Sequence, residues 1–491
     1  MQQTRLFGAL VGLTVTATLL GDSAARVVDP PMDVVVLNDN GAWSWFQDER
    51  AVFDPRNGSL LVSSVASSAG TDGLARGGSV EVVQLDTSDG SIERTVLHAN
   101  LQSDDHDAAA LHVRPDGRYV AMYSQHATDS RTRWRLSAPN RDSLRWEPEQ
   151  AIDLGAPVTY SNIYPSAGPG GADLYAFVRA AGLDPAILVS HNDGDTWEQR
   201  GRLFDGPGRP YVRYAAAGDG RIHLLTTEQH PHAYTNGVYH GIIESGRLQR
   251  ADGTVVDPDI SDTEAVTPAT LTPVHPRNGT DRAWTIDLQV SGHEAYAAYS
   301  IHAPGSAPSP HSYYYARNDG THWRSSFLAH AGTPLYAGQP YYTGLVALHP
   351  NDPNYVVVST NADPSTGEPL ISLSDGRRHH ELFEGRTTDR GATWTWTSLT
   401  TASTVDNIRP IIVTGHHHTA VLWLRGHYHT YTDYDLDVVV TLRPPQPADQ
   451  PANADIPRPE AAAAPESQAA WTSARLDGAV VGARPPRQTW H

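Results

Sequence analysis

RPDGRYVAMYSQH, residues 114–126, decides the fold of this chain. Pro115-Asp116-Gly117 is a turn signal, because Pro pre-sets one turn dihedral, Asp bonds turn amides and Gly accepts a left-handed backbone. A short apolar run, Tyr119 to Tyr123, follows and reads as a strand, which ends on the polar pair Gln125-His126. The same order of turn, strand and polar end recurs in DPRNGSLLVSSVAS from Asp54, GPGGADLYAFVR from Gly168 and AGDGRIHLLTTEQH from Ala217. It appears again in VSGHEAYAAYSIH from Val290, HPNDPNYVVVSTN from His349 and VTGHHHTAVLWLRG from Val413. With Gly58, Gly117, Gly171, Gly220, Gly292, Asn354 and Gly415 as register marks, the spacings are 59, 54, 49, 72, 62 and 61. Seven strand-rich units of about 60 residues predict an all-β, seven-bladed β-propeller. Two β-sandwich domains would also show regular strands, but they have no reason to repeat one hairpin seven times.

A second repeat agrees with the first. Thr387 to Trp394 (TTDRGATW) fits the Asp-box, S/T-x-D-x-G-x-T-W, a hairpin turn whose Asp bonds turn amides while the Trp packs between blades. Ser190 to Trp197 (SHNDGDTW) is a near match with Asn192 in the Asp position, and Arg317 to Trp323 is a weaker echo. Asp-boxes recur in bacterial-neuraminidase-repeat propellers. They sit on the outer rim and are structural, so they speak to fold and not to chemistry.

Composition excludes several functions. The 491 residues hold 36 basic and 55 acidic side chains, a net charge of -19, and every basic residue is Arg. Without Cys there is no disulfide, thiolate metal site or cysteine nucleophile. Without Lys there is no Schiff-base chemistry and no Walker-type phosphate loop. So acidic a chain does not favour nucleic acid, whose binding needs a basic surface.

Arg5 precedes an apolar run from Leu6 to Leu20, and Ser23-Ala24-Ala25 supplies small residues for cleavage. Residues 1–25 are thus expected to be a secretory signal peptide and the protein to be extracellular. The run is short for a membrane span, and no later segment suits one. Residues 26–443 are assigned to the propeller, expected to be a monomer. Residues 444–491 begin PPQPADQPANADIPRPEAAAA and read as a Pro/Ala-rich disordered tail.

In a propeller, equivalent strand ends line one face. The repeat strands end in His126, Arg179, Glu228 with His230, His302, Asn361 and Arg425, and only the first unit ends blandly, in Ala66. That end is the candidate mouth. The strand before each turn begins beside it, which adds His106, Tyr160 or Tyr164, Arg209 and Tyr211. Tyr160 and Tyr164 compete for one role, and one of them is expected to be core. Hydrolysis of glycosides normally uses two carboxylates, whereas this mouth is rich in His, Tyr and Arg with Glu228 the obvious acid. That set suits β-elimination at a uronic acid. A cation neutralises the carboxylate and acidifies the C5 proton, a His or Tyr removes it, and a Tyr or His protonates the leaving O4. Arg suits the first task because its planar fork holds a carboxylate bidentately.

WSWFQDERAV, DDHDAAAL, the His after AMYSQ, TYSNIY, LYAFVR and RPYVRY together resemble the repeat-propeller polysaccharide lyases that include ulvan lyases and rhamnose–glucuronate lyases. The resemblance runs from about Gly41 to Val440 and is most specific in the His106 to His126 spacing and the Tyr164 to Arg179 arrangement. It implies Arg179 as carboxylate neutraliser, Tyr160 or Tyr164 as acid/base, His106 and His126 as base or orienting groups, and Tyr211 as a further contact. The substrate implied is an anionic rhamnose–glucuronate polysaccharide. A rhamnosidase branch of the superfamily is implied to use a histidine next to the glutamine of WFQ, where this chain has Gln47 followed by Asp48.

No cofactor is expected and no metal is assigned, although the DDHD segment and the axial channel could hold a structural calcium through carboxylates. His416-His417-His418 and His427-Tyr428-His429 look like ligands on composition, but the first falls in a repeat turn. The rival readings are a sialidase-like hydrolase, which needs three converging arginines and a Tyr–Glu pair, and a non-catalytic glycan-binding propeller.

Overall fold

The computed structural model describes residues 33–139, 144–168, 171–180, 182–302, 311–320, 322–415 and 417–444. The expected signal peptide, the tail beyond residue 444 and His416 lie outside them. The described strands form seven antiparallel sheets arranged as the blades of a propeller. Blade one runs from Ala51–Phe53 inside to Ile92–His98 outside, blade two from Ala110–Val113 to Gln150–Asp153, and blade three from Thr159–Gly168 to Glu198–Arg202. Blade five runs from Arg282–Ser291 to Trp323–Gly332, and blade six from Val346–Leu348 to Thr395–Ser398.

Two blades depart from the four-strand meander. Blade four starts at Val212–Ala216 and adds Val255–Asp257 outside and Thr272–His275 against Val238–Glu244. This insertion explains the long 72-residue interval between Gly220 and Gly292. Blade seven takes Asp406–Thr414, Thr419–Thr430 and Asp433–Arg443 from the C-terminal side, and its fourth strand, Val35–Asn38, comes from the N-terminal side. The ring is therefore closed by pairing between distant parts of the chain, which covers an otherwise open sheet edge.

Six of the seven register marks fall at turns between the first and second strands of a blade, and Gly171 opens the second strand of blade three. The second strands are buried on both faces, as in Leu60–Val65, whereas outer strands such as Gln150–Asp153 are largely exposed. The apolar residues gather between neighbouring blades. Leu61, Val82 and Tyr123 pack between blades one and two, and Met122, Leu174 and Leu188 between two and three.

The Asp-box geometry accounts for the rim turns. Asp389 Oδ1 accepts the Thr393 N–H at 2.9 Å, Thr387 Oγ1 accepts the Gly391 N–H at 2.9 Å, and Trp394 meets Tyr315 of blade five edge-on at 5.2 Å. Asn192 replaces Asp in the blade-three copy, where its Oδ1 accepts the Thr196 N–H at 2.9 Å.

The segment Trp43 to Arg50 fills the centre of the ring. Trp45 lies 4.2 Å from Tyr342 and donates Nε1–H to the Thr343 carbonyl at 3.0 Å, and Phe46 stacks on Trp284 at 4.2 Å beside Tyr211 at 4.3 Å. These rings make an aromatic floor beneath the mouth.

Candidate active site

The first strands of the blades start at the mouth and the second strands end there, so His106 and His126 of blade two become neighbours. Their rings stack with centroids 3.8 Å apart and 14° between planes. His106 is held in a single 3-10 turn, Asp105–Asp107, whose cap Asp104 accepts the His106 N–H at 3.0 Å. The Asp104 carboxylate then bridges both rings, with Oδ1 at 2.6 Å from His106 Nδ1 and Oδ2 at 2.9 Å from His126 Nδ1. An ionised carboxylate only accepts, so each Nδ1 carries a hydrogen and a neutral ring keeps its lone pair on Nε2.

The two rings differ in charge preference. Burial alone would raise Asp104, but the two imidazoles pull its carboxyl well below the usual range. Burial also disfavours a charged His106, yet Asp104 and Asp105 outweigh it and raise its pKa. Burial and then the positive charge of His106 push His126 down to about 4, against the pull of Asp104. The shifts run apart: the charged form is favoured on His106, whereas His126, whose side chain is 22 % exposed, is a free base near neutral pH.

Blade seven braces this pair. Arg409 donates to the Asp105 carboxylate at 2.8 Å, Tyr428 OH bonds the same carboxylate at 3.0 Å, and Asp105 Oδ1 lies 2.9 Å from His106 Nδ1. Tyr431, at the tip of the blade-seven hairpin, meets His106 and His126 edge-on at 5.4 and 5.5 Å, and its carbonyl accepts the Asp105 N–H at 2.9 Å.

Tyr160 and Arg179 adjoin the pair. The Tyr160 ring lies 5.5 Å from His106, and the Arg179 guanidinium lies 4.7 Å from the Tyr160 centroid and 5.6 Å from that of Tyr211. Tyr160 has φ 64°, a left-handed conformation costly for an aromatic residue, and the blade-three register shifts between Thr159 and Asn162. Arg409, with φ 52°, sits at a matching shift between Ile408 and Ile411. Bulges of this kind re-aim side chains next to active sites, and the strain, about 1–3 kcal/mol per residue, is held by the surrounding structure. Burial keeps the Tyr160 phenol protonated far above neutral pH despite Arg179.

Arg179 is the unusual group. It is buried, 6 % exposed, and among the described residues it has no carboxylate partner and no acceptor for Nε or Nη1. Other buried arginines hold carboxylates, as in Arg213 with Asp48, Arg76 with Glu81 and Arg409 with Asp105, although Arg409 too leaves Nε and Nη2 without acceptors among the described residues. Beside Arg179 a pocket of about 30 Å³ is lined by Phe46, Tyr160, Phe177 and Tyr211. Arg209, half-buried, forms no ion pair among the described residues and stands close enough to act electrostatically on Tyr160 and His230. His230 meets Tyr211 at 5.6 Å and Trp284 at 4.7 Å.

Several expected site residues lie elsewhere. Tyr164 is deeper in the axial channel, where its hydroxyl donates to Asp48 at 2.7 Å with the Tyr214 carbonyl at 2.9 Å, so it is spent on structure. Glu228 turns back from the mouth to accept the Gly237 N–H at 2.8 Å and the Tyr239 hydroxyl at 3.0 Å. Asn361 holds the 333 turn by accepting the Thr333 N–H at 3.0 Å and donating to Thr333 Oγ1 at 2.9 Å. Arg425 pairs with Asp437 at 3.0 Å in mid-strand, because its strand runs on to Thr430 and overshoots the repeat length. His302 reaches the rim and meets Tyr341 at 5.1 Å. Asp104, Arg409, Tyr431 and Trp284 also belong to the site, and of these only Asp104 carries a signal in the sequence, its place in DDHD.

Asp104, His106 and His126 offer ligand atoms within 4.8 Å of one another and could hold a metal ion. Their geometry suits a shared carboxylate better, because parallel rings aim their lone pairs side by side and not at one tetrahedral centre. A larger cavity, about 300 Å³, lies in the axial channel and includes Asp48, Glu49, Arg50, Tyr164 and Gln289. Its polar groups pair with one another: Arg50 donates to Asn162 Oδ1 at 2.7 Å and Gln289 to Glu49 at 3.2 Å. The mouth, with its unpaired cations, is the stronger candidate site. Gln47, next to Asp48, donates to the His106 carbonyl at 2.6 Å and helps seat the histidine turn.

A seven-bladed propeller with a His/Tyr/Arg mouth is the class that fold and site define. The profile of the BNR repeat-containing family matches residues 75–331, more than half of the chain, and the protein belongs to that family. The fold resembles that of a polysaccharide lyase described as an ulvan lyase of a new family, bound to -[GlcA(1-4)Rha3S]-, with TM-score 0.59 and 13% identity over 83% of this chain and 95% of that one. It also resembles the polysaccharide lyase Uly1, with TM-score 0.52 and 9% identity over 84% of this chain and 100% of that one. At such identities the likeness is one of fold. A comparison with curated proteins finds no significant match. Among the described residues no helix is long and apolar enough to cross a membrane.

Proposed function

We propose that this protein is a polysaccharide lyase that cleaves a uronate-containing chain of the rhamnose–glucuronate type by β-elimination. The observation that carries the reading is Arg179, a buried guanidinium whose Nε and Nη1 lack acceptors beside a protonated Tyr160 and a neutral His126. A buried unpaired cation is costly unless a ligand supplies the anion. A uronate carboxylate on the Arg179 fork has its negative charge offset by the guanidinium, and the adjacent C5 proton becomes more acidic. His126 Nε2 accepts that proton, with Asp104 holding the ring in the required tautomer. His106, stacked 3.8 Å from His126 and the ring whose charged form is favoured, supplies positive charge next to the base as the enolate develops. Tyr160 donates its hydroxyl proton to the leaving O4, so one proton is taken, one is given and the product carries an unsaturated uronyl end.

Incubation with ulvan and other uronate polysaccharides tests the reading. New reducing ends should appear together with the ultraviolet absorbance of an unsaturated uronate; reducing ends without it would mean hydrolysis and overturn the lyase. Export to an extracellular polysaccharide fits the N-terminal sequence and belongs to the same proposal.

A further inference from the structure

Across the mouth from the histidine pair lies a second cluster. Tyr341, part-exposed, is surrounded by imidazoles: His302 at 5.1 Å, His232 at 6.0 Å, His311 at 6.3 Å and His230 at 6.4 Å between centroids. It is contiguous with the Arg179 site through His230, which touches Tyr211. His311 is 1 % exposed, and among the described residues neither ring nitrogen has a partner; His302 Nδ1 is unpartnered too. His230 Nδ1 accepts the His232 N–H at 3.0 Å, which fixes its remaining hydrogen on Nε2 as a donor. Arg282, 6.0 Å from Tyr341, spends Nη1 on the carbonyls of Pro231 and His232 and so holds this turn.

We infer that Tyr341 and the imidazoles around it form a binding platform for a neutral pyranose ring of the polysaccharide, next to the subsite where Arg179 holds the uronate. The inference rests on the lyase reading for the identity of the neighbouring subsite. Three properties point to a neutral sugar. An accessible aromatic face suits the apolar C–H face of a pyranose. Ring nitrogens of His302 and His311 with no partner among the described residues call for groups such as sugar hydroxyls supply. Two of the imidazoles, His230 and His311, are also uncharged at neutral pH: burial and the neighbouring cations push His230 down to about 3, and burial does the same to His311 beside His302. The platform therefore binds by stacking and hydrogen bonding, in contrast to the charged Arg179 end. A chain that alternates anionic and neutral sugars matches two adjacent subsites of opposite character.

Tyr341→Ala and Tyr341→Phe test this in two measurements. Affinity electrophoresis in gels containing ulvan or desulfated ulvan reads binding without turnover. The alanine variant should bind desulfated ulvan, whose rhamnose is neutral, about tenfold more weakly than wild type, and the phenylalanine variant should bind it as wild type, because the ring carries the contact. Equal retardation of wild type and Tyr341→Ala, or no retardation of wild type, overturns the platform. Tyr341→Ala should raise KM on the shortest ulvan oligosaccharide that is cleaved and on the polymer, by more than it lowers kcat on either. Equal loss of kcat on both would place Tyr341 at the reacting centre and overturn the inference. Weakened binding by the variant without unsaturated ends from wild type would sink the lyase reading and leave the platform standing.

Discussion

Arg179→Met should destroy activity and leave the protein as stable as wild type or more so. In the free protein two buried guanidinium donors of Arg179 have no acceptor, and each such group costs about 1–3 kcal/mol. The guanidinium recovers part of this from the rings of Tyr160 and Tyr211, at about 0.5–2 kcal/mol per contact. Methionine has similar length and no polar atom to satisfy, so the net change favours the variant by about 1–3 kcal/mol. For a domain of this size that is a rise in Tm of about 1–4 °C. Catalysis moves the other way. Removing the group that neutralises the uronate should lower kcat/KM by about 10³-fold or more, near 4 kcal/mol in barrier height. Arg409→Met is the contrast, because its guanidinium pairs with the buried Asp105 carboxylate, and breaking that pair should cost about 3–5 kcal/mol. Thermal unfolding and the unsaturated-uronate assay on both variants decide the matter. A Tm of Arg179→Met well below wild type, with activity retained, would show that Arg179 is a structural cation and refute the reasoning.

Other outcomes follow from the same geometry. Tyr160→Phe should lower kcat by about 10²–10⁴-fold with little change in KM, because it removes a proton donor and leaves the ring beside His106. The pH profile of wild type should rise through about 4, as His126 loses its proton, and fall on the alkaline side above 6.5 as His106 loses its charge. Asp105→Asn should move that alkaline limb to lower pH, since Asp105 helps to raise His106; an unmoved limb would argue against the charged His106. In stability the signs are opposite for the two rings: His126, depressed in the fold, makes stability rise with pH between about 4 and 6.5, while the contribution of His106 is lost as pH climbs through its raised value. Deleting the segment through Asn38 should lower Tm by several degrees and promote self-association, because Asp433–Arg443 would become an open edge; size-exclusion chromatography would report it.

The fold was legible because turn chemistry repeats. Every blade needs the same tight reversal between its first two strands, so Gly, Asp and Asn recur at one register and the unit length can be counted. The mouth was legible for the same reason, and His106, His126, Tyr160, Arg179 and Tyr211 do come together there. Register failed where blade geometry departs from the repeat. Arg425 was placed at a strand end that lies further on, because this strand runs through to Thr430, and the side chain that reaches the histidines is Tyr431. Tyr160 and Tyr164 look equivalent on a regular strand, yet the shift between Thr159 and Asn162 lifts Tyr160 to the mouth and leaves Tyr164 bonded to Asp48. Glu228 carries the right chemistry at the right register and still faces away, because a buried backbone N–H and the Tyr239 hydroxyl claim both its oxygens. Asp104 reads locally as a turn cap, and only the convergence of residues 104, 106 and 126 makes it the shared acceptor of two imidazoles. The most telling property of the site, the missing partner of Arg179, is an absence among groups far apart in the chain. Spacing cannot display it, since any of the 55 acidic residues might have been the partner, and only the packed blades reveal that none of the described ones is.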